Sequence, residues 1–65
     1  MDNLTQREKE VLKLMKDGYG NNEIAKLIFV SKYTVKAHVS SILRKTQAKN
    51  RAHLIYIAAK SGLLD

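Results

Sequence analysis

Apolar residues in this 65-residue chain recur three and four positions apart, in four short blocks. Val11, Leu12 and Met15 form the first, with Leu14 widening the stripe. Ile24, Ala25, Leu27 and Ile28 form the second, and Val35, Val39, Ile42 and Leu43 the third. Leu54, Ile55, Ile57 and Ala58 form the fourth. That period lays each block along one side of an α-helix, whereas a half-buried strand would alternate. The β-branched residues keep the helical spacing as well, so a sheet is not expected. The fold class predicted is all-α, with four helices.

Punctuation between the blocks agrees. Thr5-Gln6-Arg7-Glu8 fits a capping box, in which the Thr side chain caps the backbone and Glu8 reaches back to it. Gly18-Tyr19-Gly20 ends that helix, since glycine enters the left-handed conformation cheaply. The second helix spans about 21–28, with Asn21 or Gly20 as its cap. The third follows Ser31, a good N-cap, and covers about 32–47. The fourth follows Asn50 and runs to Ser61, where Gly62 stops it and Leu63-Leu64 can return to the core. There is no repeat, low-complexity stretch or internal linker, so residues 1–65 read as a single domain, whether whole or the C-terminal part of a larger chain.

Length and composition remove other classes. A chain this short buries only roughly 60% of its unfolded surface, which leaves little room for an enclosed active site. No cysteine means no disulfide framework and no thiolate metal site, and nothing requires an oxidising compartment. His38 and His53 alone do not make a metal site, so no cofactor is expected. No nucleophile–base pair, phosphate loop or metal cluster supports an enzyme. Apolar runs fall far short of the about 20 residues that span a bilayer, and the apolar faces are needed for the core, so no membrane partner is expected. The charged N-terminus is unlike a signal peptide, and the expected location is cytoplasmic.

Charge supplies the positive lead. The formal net charge is +6, and it is uneven. Residues 1–23 hold four basic and five acidic side chains; residues 24–65 hold eight basic and one acidic. From Ile24 to Leu64 there is no acid at all. A basic, acid-free segment favours a polyanionic partner, most simply nucleic acid.

Within that segment, a short helix, a break of about three residues and a capped second helix make a helix-turn-helix. Ala25 is small where two helices must cross, Val30 plugs the turn, and Val35 and Val39 face inward. In such a motif the second helix enters the major groove of double-stranded DNA. Advancing about 100° per residue, Val39, Ile42 and Thr46 share the side of Val35, while Tyr33, Ala37, Ser40 and Arg44 lie opposite. Lys36 and Ser41 flank that outer face. It holds cations, hydroxyls and a small apolar residue but no carboxylate. Lys and Arg suit phosphates and guanine edges, and Ala suits a thymine methyl.

Leu4-Thr5, Arg7-Glu8, Glu10-Val11-Leu12, Gly18, Asn21, Glu23-Ile24-Ala25, Ser31, Thr34-Val35-Lys36, His38, Lys45, Arg51 and Gly62-Leu63-Leu64 together resemble the DNA-binding domain of LuxR-type regulators, also called GerE-, FixJ- or NarL-type. The resemblance spans positions 4 to 64. It implies a tetra-helical domain that regulates bacterial transcription, usually C-terminal to a receiver or ligand-sensing domain. It places base reading on Lys36, Ala37 and Ser40, and phosphate contact on Ser31, Thr34 and Lys45. Three departures stand out. Gly20 and Asn22 replace a usual Ser and Lys, which removes a side-chain cap and a phosphate contact. Thr46-Gln47-Ala48 replaces a usual Leu-x-Val. Tyr33 occupies a slot where small or charged residues are common, and suits stacking on the sugar-phosphate backbone.

The DNA-binding set expected is thus Ser31, Tyr33, Thr34, Lys36, Ala37, Ser40, Ser41, Arg44 and Lys45. His38, at the edge of the apolar stripe, suits either a phosphate contact or a satisfied, half-buried position. His53 reads as a solvated residue of the fourth helix. Arg51 is expected to pair with Glu8 or Glu10 inside the domain. Ala52, Tyr56 and Ala59 form a second face of the fourth helix, fit for a weak homodimer strengthened on DNA. The competing reading is a helix-turn-helix-shaped protein-interaction module that does not bind DNA.

Overall fold

Each helix in the computed structural model, which describes residues 3–61, starts where a side chain can satisfy free backbone N–H groups. Helix α1 covers Gln6–Lys16, α2 Asn21–Leu27, α3 Lys32–Thr46 and α4 Arg51–Ser61. The capping box of α1 is complete: Glu8 N–H donates to Thr5 Oγ1 at 3.1 Å, and Thr5 N–H donates to Glu8 Oε1 at 2.8 Å. At α2, Gly20 has no side chain to cap with, yet its N–H donates to Glu23 Oε1 at 2.9 Å. Half of a capping box thus survives the missing serine. Ser31 Oγ accepts from Thr34 N–H at α3, and Asn50 Oδ1 accepts from His53 N–H at α4. The expected stop at Gly62 and the return of Leu63-Leu64 lie outside the described residues.

α1 packs against the other three helices, α3 packs against both α2 and α4, and the backbones of α2 and α4 stay apart. The core between them is Leu4, Val11, Leu12, Met15, Ile24, Ala25, Val35, Val39, Ile42, Leu54 and Ala58. These come from the helical stripes of the sequence, whose Leu14, Ile28, Leu43 and Ile55 pack half-buried against the core while Ile57 is half-buried outside it. Leu4 joins from ahead of α1, and Leu27, on the second stripe, is 49% exposed. Burying a Val, Leu or Ile side chain contributes about 1.5–3 kcal/mol, so the four stripes meeting here supply the main driving force. Ala25 is buried in the core, and Val30 packs half-buried against it.

Three left-handed residues set the connections. Gly18 closes α1 with φ 100, and a Cβ placed there would meet nothing, so its backbone and not crowding calls for glycine. Phe29, in the turn of the helix-turn-helix, has φ 60 and is 93% exposed. Gln47 ends α3 with φ 58, its N–H donating back to the last turn, while Ala48 N–H reaches Leu43 O at 3.1 Å. That hydrogen-bonded reversal lets Ala48 pack on the core and makes Gln47 compatible with a helix end. Thr46 Oγ1 donates to Ile42 O at 2.8 Å, so the Thr-Gln-Ala departure is accommodated without an unsatisfied hydroxyl.

Candidate nucleic-acid interface

Burial divides α3 as its helical rotation predicts. Val35, Val39 and Ile42 are buried, while Tyr33, Lys36, Ala37, Ser40 and Arg44 are exposed. No carboxylate lies on that outer face among the described residues, and the first turn of α3 holds no acid. Ser31 and Thr34 stand at its N-terminal end, their hydroxyl oxygens 3.1 Å apart. Lys32 Nζ lies 5.4 Å from the centroid of the Tyr33 ring, a cation–π contact that holds both side chains at the start of α3. His38 is half-buried, on the border of the two faces.

Two side chains of the expected DNA-binding set, Ser41 at its flank and Lys45 in a phosphate-contacting slot, are engaged by Glu8. Lys45 Nζ sits 2.8 Å from Glu8 Oε1, and Ser41 Oγ donates to Glu8 Oε2 at 2.6 Å. Glu8 is buried, at 4% exposure, and a buried carboxylate must be paired and hydrogen-bonded. Burial pushes its carboxyl up, but the hydrogen bonds from Lys45, Ser41 and the Thr5 N–H, with the Lys45 charge, outweigh this and bring it down to about 2. From the sequence Glu8 reads as a capping residue and as a candidate partner of Arg51. Its pairing with Ser41 and Lys45 needed the folded chain, because these partners lie 33 and 37 positions away.

Arg51 is internal, but not as expected. It pairs with neither Glu8 nor Glu10. Its guanidinium spans to the start of α2, donating from Nη1 to Asn21 Oδ1 at 2.7 Å and from Nη2 to Tyr19 O at 2.9 Å. Glu8 is already committed to α3, and Glu10 pairs with Arg7 at 2.9 Å on the same helix. Arg7 also donates to Ile28 O at 2.9 Å, fastening α1 to the end of α2 just before the turn. His53 is likewise more than a solvated residue, since its Nδ1 accepts from Lys49 N–H at 2.9 Å.

Beside the outer face lies an open cleft of about 300 Å³ lined by Asn21, Asn22, Lys32, Tyr33 and Lys36. Asn21, Asn22 and Lys32 stand outside the DNA-binding set expected from the sequence. Lys32 lies one helical turn before Lys36, so the two ammonium groups share this side of α3. On α4, Ala52, Tyr56 and Ala59 are all exposed, with Tyr56 at 59%. Among the described residues no group of His and acidic side chains is arranged to hold a metal, and no helix is long and apolar enough to cross a membrane.

Known proteins match this arrangement. Residues 2–58 fit the family model described as bacterial regulatory proteins, luxR family. The chain is 47% identical over 62 residues to the oxygen regulatory protein NreC of Staphylococcus carnosus, covering 95% of this chain and 29% of that protein. It is 46% identical over 59 residues to the transcriptional regulatory protein DegU of Brevibacillus brevis, covering 91% of this chain and 25% of that protein. The chain therefore spans between a quarter and three tenths of the length of these relatives. With four helices among the described residues, an acid-free outer face on α3 and a family match over nearly its whole length, the chain belongs to the luxR family of bacterial regulatory proteins, as the non-enzymatic helix-turn-helix DNA-binding domain of a transcription regulator.

Proposed function

We propose that the outer face of α3 reads an operator in the major groove, with Lys36, Ala37 and Ser40 at base edges. Ser31, Tyr33, Thr34 and Arg44 take the flanking backbone. Ser41 and Lys45 serve this face from within, by fixing α3 to Glu8, and the about one quarter of the Lys45 side chain that stays exposed (24%) leaves it at the rim of the site. The observation that carries the reading is the division of α3 itself. One side is a buried apolar stripe, and the other is exposed, cationic and hydroxyl-bearing, with no acid. Phosphate contacts of this kind position a protein, while base-edge contacts give it sequence preference.

The exposed Ala52, Tyr56 and Ala59 face of α4 supports a weak two-fold dimer assembled on DNA, with half-sites about 34 Å apart. Relatives three to four times the length of this chain support a place C-terminal to a receiver or sensor domain in a longer regulator. The cytoplasm is the compartment such a regulator requires. Selection of bound duplexes from a random pool tests the reading, since it returns the site, its symmetry and the half-site spacing together. Absence of any affinity for duplex at low salt would overturn it in favour of a protein-interaction module.

A further inference from the structure

Arg51 belongs to the helix proposed for dimerisation, yet its guanidinium ends at the entrance to α2. The bond to Asn21 has a chemical consequence. A guanidinium only donates hydrogen bonds, so the Asn21 atom 2.7 Å from it must be the carbonyl oxygen. That fixes the amide orientation and leaves the side-chain NH2 as the group Asn21 has to offer. Asn21 lines the cleft with Asn22, Lys32, Tyr33 and Lys36, which brings two ammonium groups, a phenol and two amides together with no carboxylate. Lys36 is also the first of the proposed base-reading residues. The cleft is therefore continuous with the proposed DNA face.

We propose that Arg51 is a positioning residue for DNA contact: by holding Oδ1 of Asn21, it presents the Asn21 NH2 to a backbone phosphate seated in the cleft beside Lys32, Tyr33 and Lys36. The inference rests on the DNA-binding reading and adds one residue pair to it. The planar fork of arginine suits the task, because one guanidinium satisfies Asn21 and the Tyr19 carbonyl at once, anchoring both the side chain and the backbone that carries it. A neutral amide contributes a hydrogen bond without releasing a counterion, so its removal weakens binding and leaves the salt slope unchanged.

The test is a double-mutant cycle on Arg51→Gln and Asn21→Ala, read as affinity for a short duplex of random sequence across a salt series. Binding is measured well below each variant's melting midpoint, so that loss of folded protein does not enter. Each single variant should bind about tenfold more weakly with an unchanged salt slope, and the double variant should be no weaker than either. A fall of about one unit in the slope for Arg51→Gln, or a further loss in the Asn21→Ala background, would make Arg51 a direct phosphate contact and overturn the proposal. Unchanged affinity in Asn21→Ala would overturn it too, and that variant decides the matter even if Arg51→Gln does not fold. Failure of the unmodified chain to bind duplex at all would instead remove the DNA-binding reading beneath it.

Discussion

Lys45 Nζ lies 2.8 Å from Glu8 Oε1, so the last turn of α3 is tied to the first turn of α1. Ser41 Oγ holds the other carboxylate oxygen from one turn earlier, at 2.6 Å. Arg7, the neighbour of Glu8, holds the Ile28 carbonyl before the turn. The first turn of α1 thus clamps the helix-turn-helix at two places, which sets the angle at which α3 is presented.

Lys45→Met should lower stability by about 2 kcal/mol, because it leaves a buried carboxylate short of its charged partner. A domain of this size would lose roughly 8–16 °C in melting midpoint. Thermal unfolding followed by circular dichroism checks this. A midpoint within a degree or two of the unmodified chain would mean that the ion pair is not structural.

Acid should undo the same clamp. Glu8 is held at about 2 in the folded chain against an ordinary 4.5, so folding favours its ionised form. Its contribution is complete above about 4.5 and is lost as pH falls toward 2. In Glu8→Gln that contribution is absent at every pH. The gap in urea midpoint between the unmodified chain and Glu8→Gln should therefore narrow steadily through this window. A gap that stays constant would show that Glu8 is not the titrating group.

What could be read from the sequence was local. The capping box at Thr5, the stop at Gly18 and the stripes on α1 and α3 depend on neighbours within a turn or two, and these appear as expected. The outer face of α3 followed from rotation alone. Side-chain pairings across the fold did not. Arg51 was matched to an acid by charge, but the geometry gives it an amide and a carbonyl. Lys45 matched a phosphate-contacting slot, and only the approach of α1 to α3 shows that its ammonium has a protein partner. Leu27 sits at the edge of its stripe, about 60° from buried Ile24 on the side away from Ile28, and is 49% exposed.

Gln47 carries a left-handed backbone, at φ 58, without glycine's freedom. Gln47→Gly should relieve that strain, and after the added chain entropy of glycine the net gain should be about 0.5 kcal/mol, or roughly 3 °C. Gln47→Val should move the midpoint in the opposite direction, since a β-branched residue is poorly tolerated there. Melting the two variants side by side gives a rank order, and a valine variant as stable as the glycine variant would contradict the backbone assignment.

Tyr56→Glu puts a charge at the centre of the proposed dimer face while leaving α3 untouched. Tyr56 is 59% exposed, so the domain should keep its stability within about 0.5 kcal/mol. Affinity for a single half-site should be nearly unchanged. On a duplex with two half-sites the cooperative gain should disappear, so that at concentrations below the half-site dissociation constant sedimentation finds mostly singly bound duplex where the unmodified domain gives mostly doubly bound. If cooperativity survives, the dimer is formed by another surface.

The division of labour on α3 yields a contrast between sequence preference and salt dependence. Ala37 and Ser40 are exposed and uncharged and are proposed for base edges, so Ala37→Asn and Ser40→Gln should change which duplexes are selected from a random pool. Neither change adds or removes charge, and the salt slope should hold. Arg44→Ala removes a cation assigned to the backbone instead. It should weaken binding about equally across sequences, flatten the salt slope by about one unit and leave the selected site unaltered. The two classes of variant therefore move different readouts. Should Ala37→Asn and Ser40→Gln return the same preferred site as the unmodified chain, base reading does not reside on this face of α3, and the groove contacts must be reassigned to its flanks.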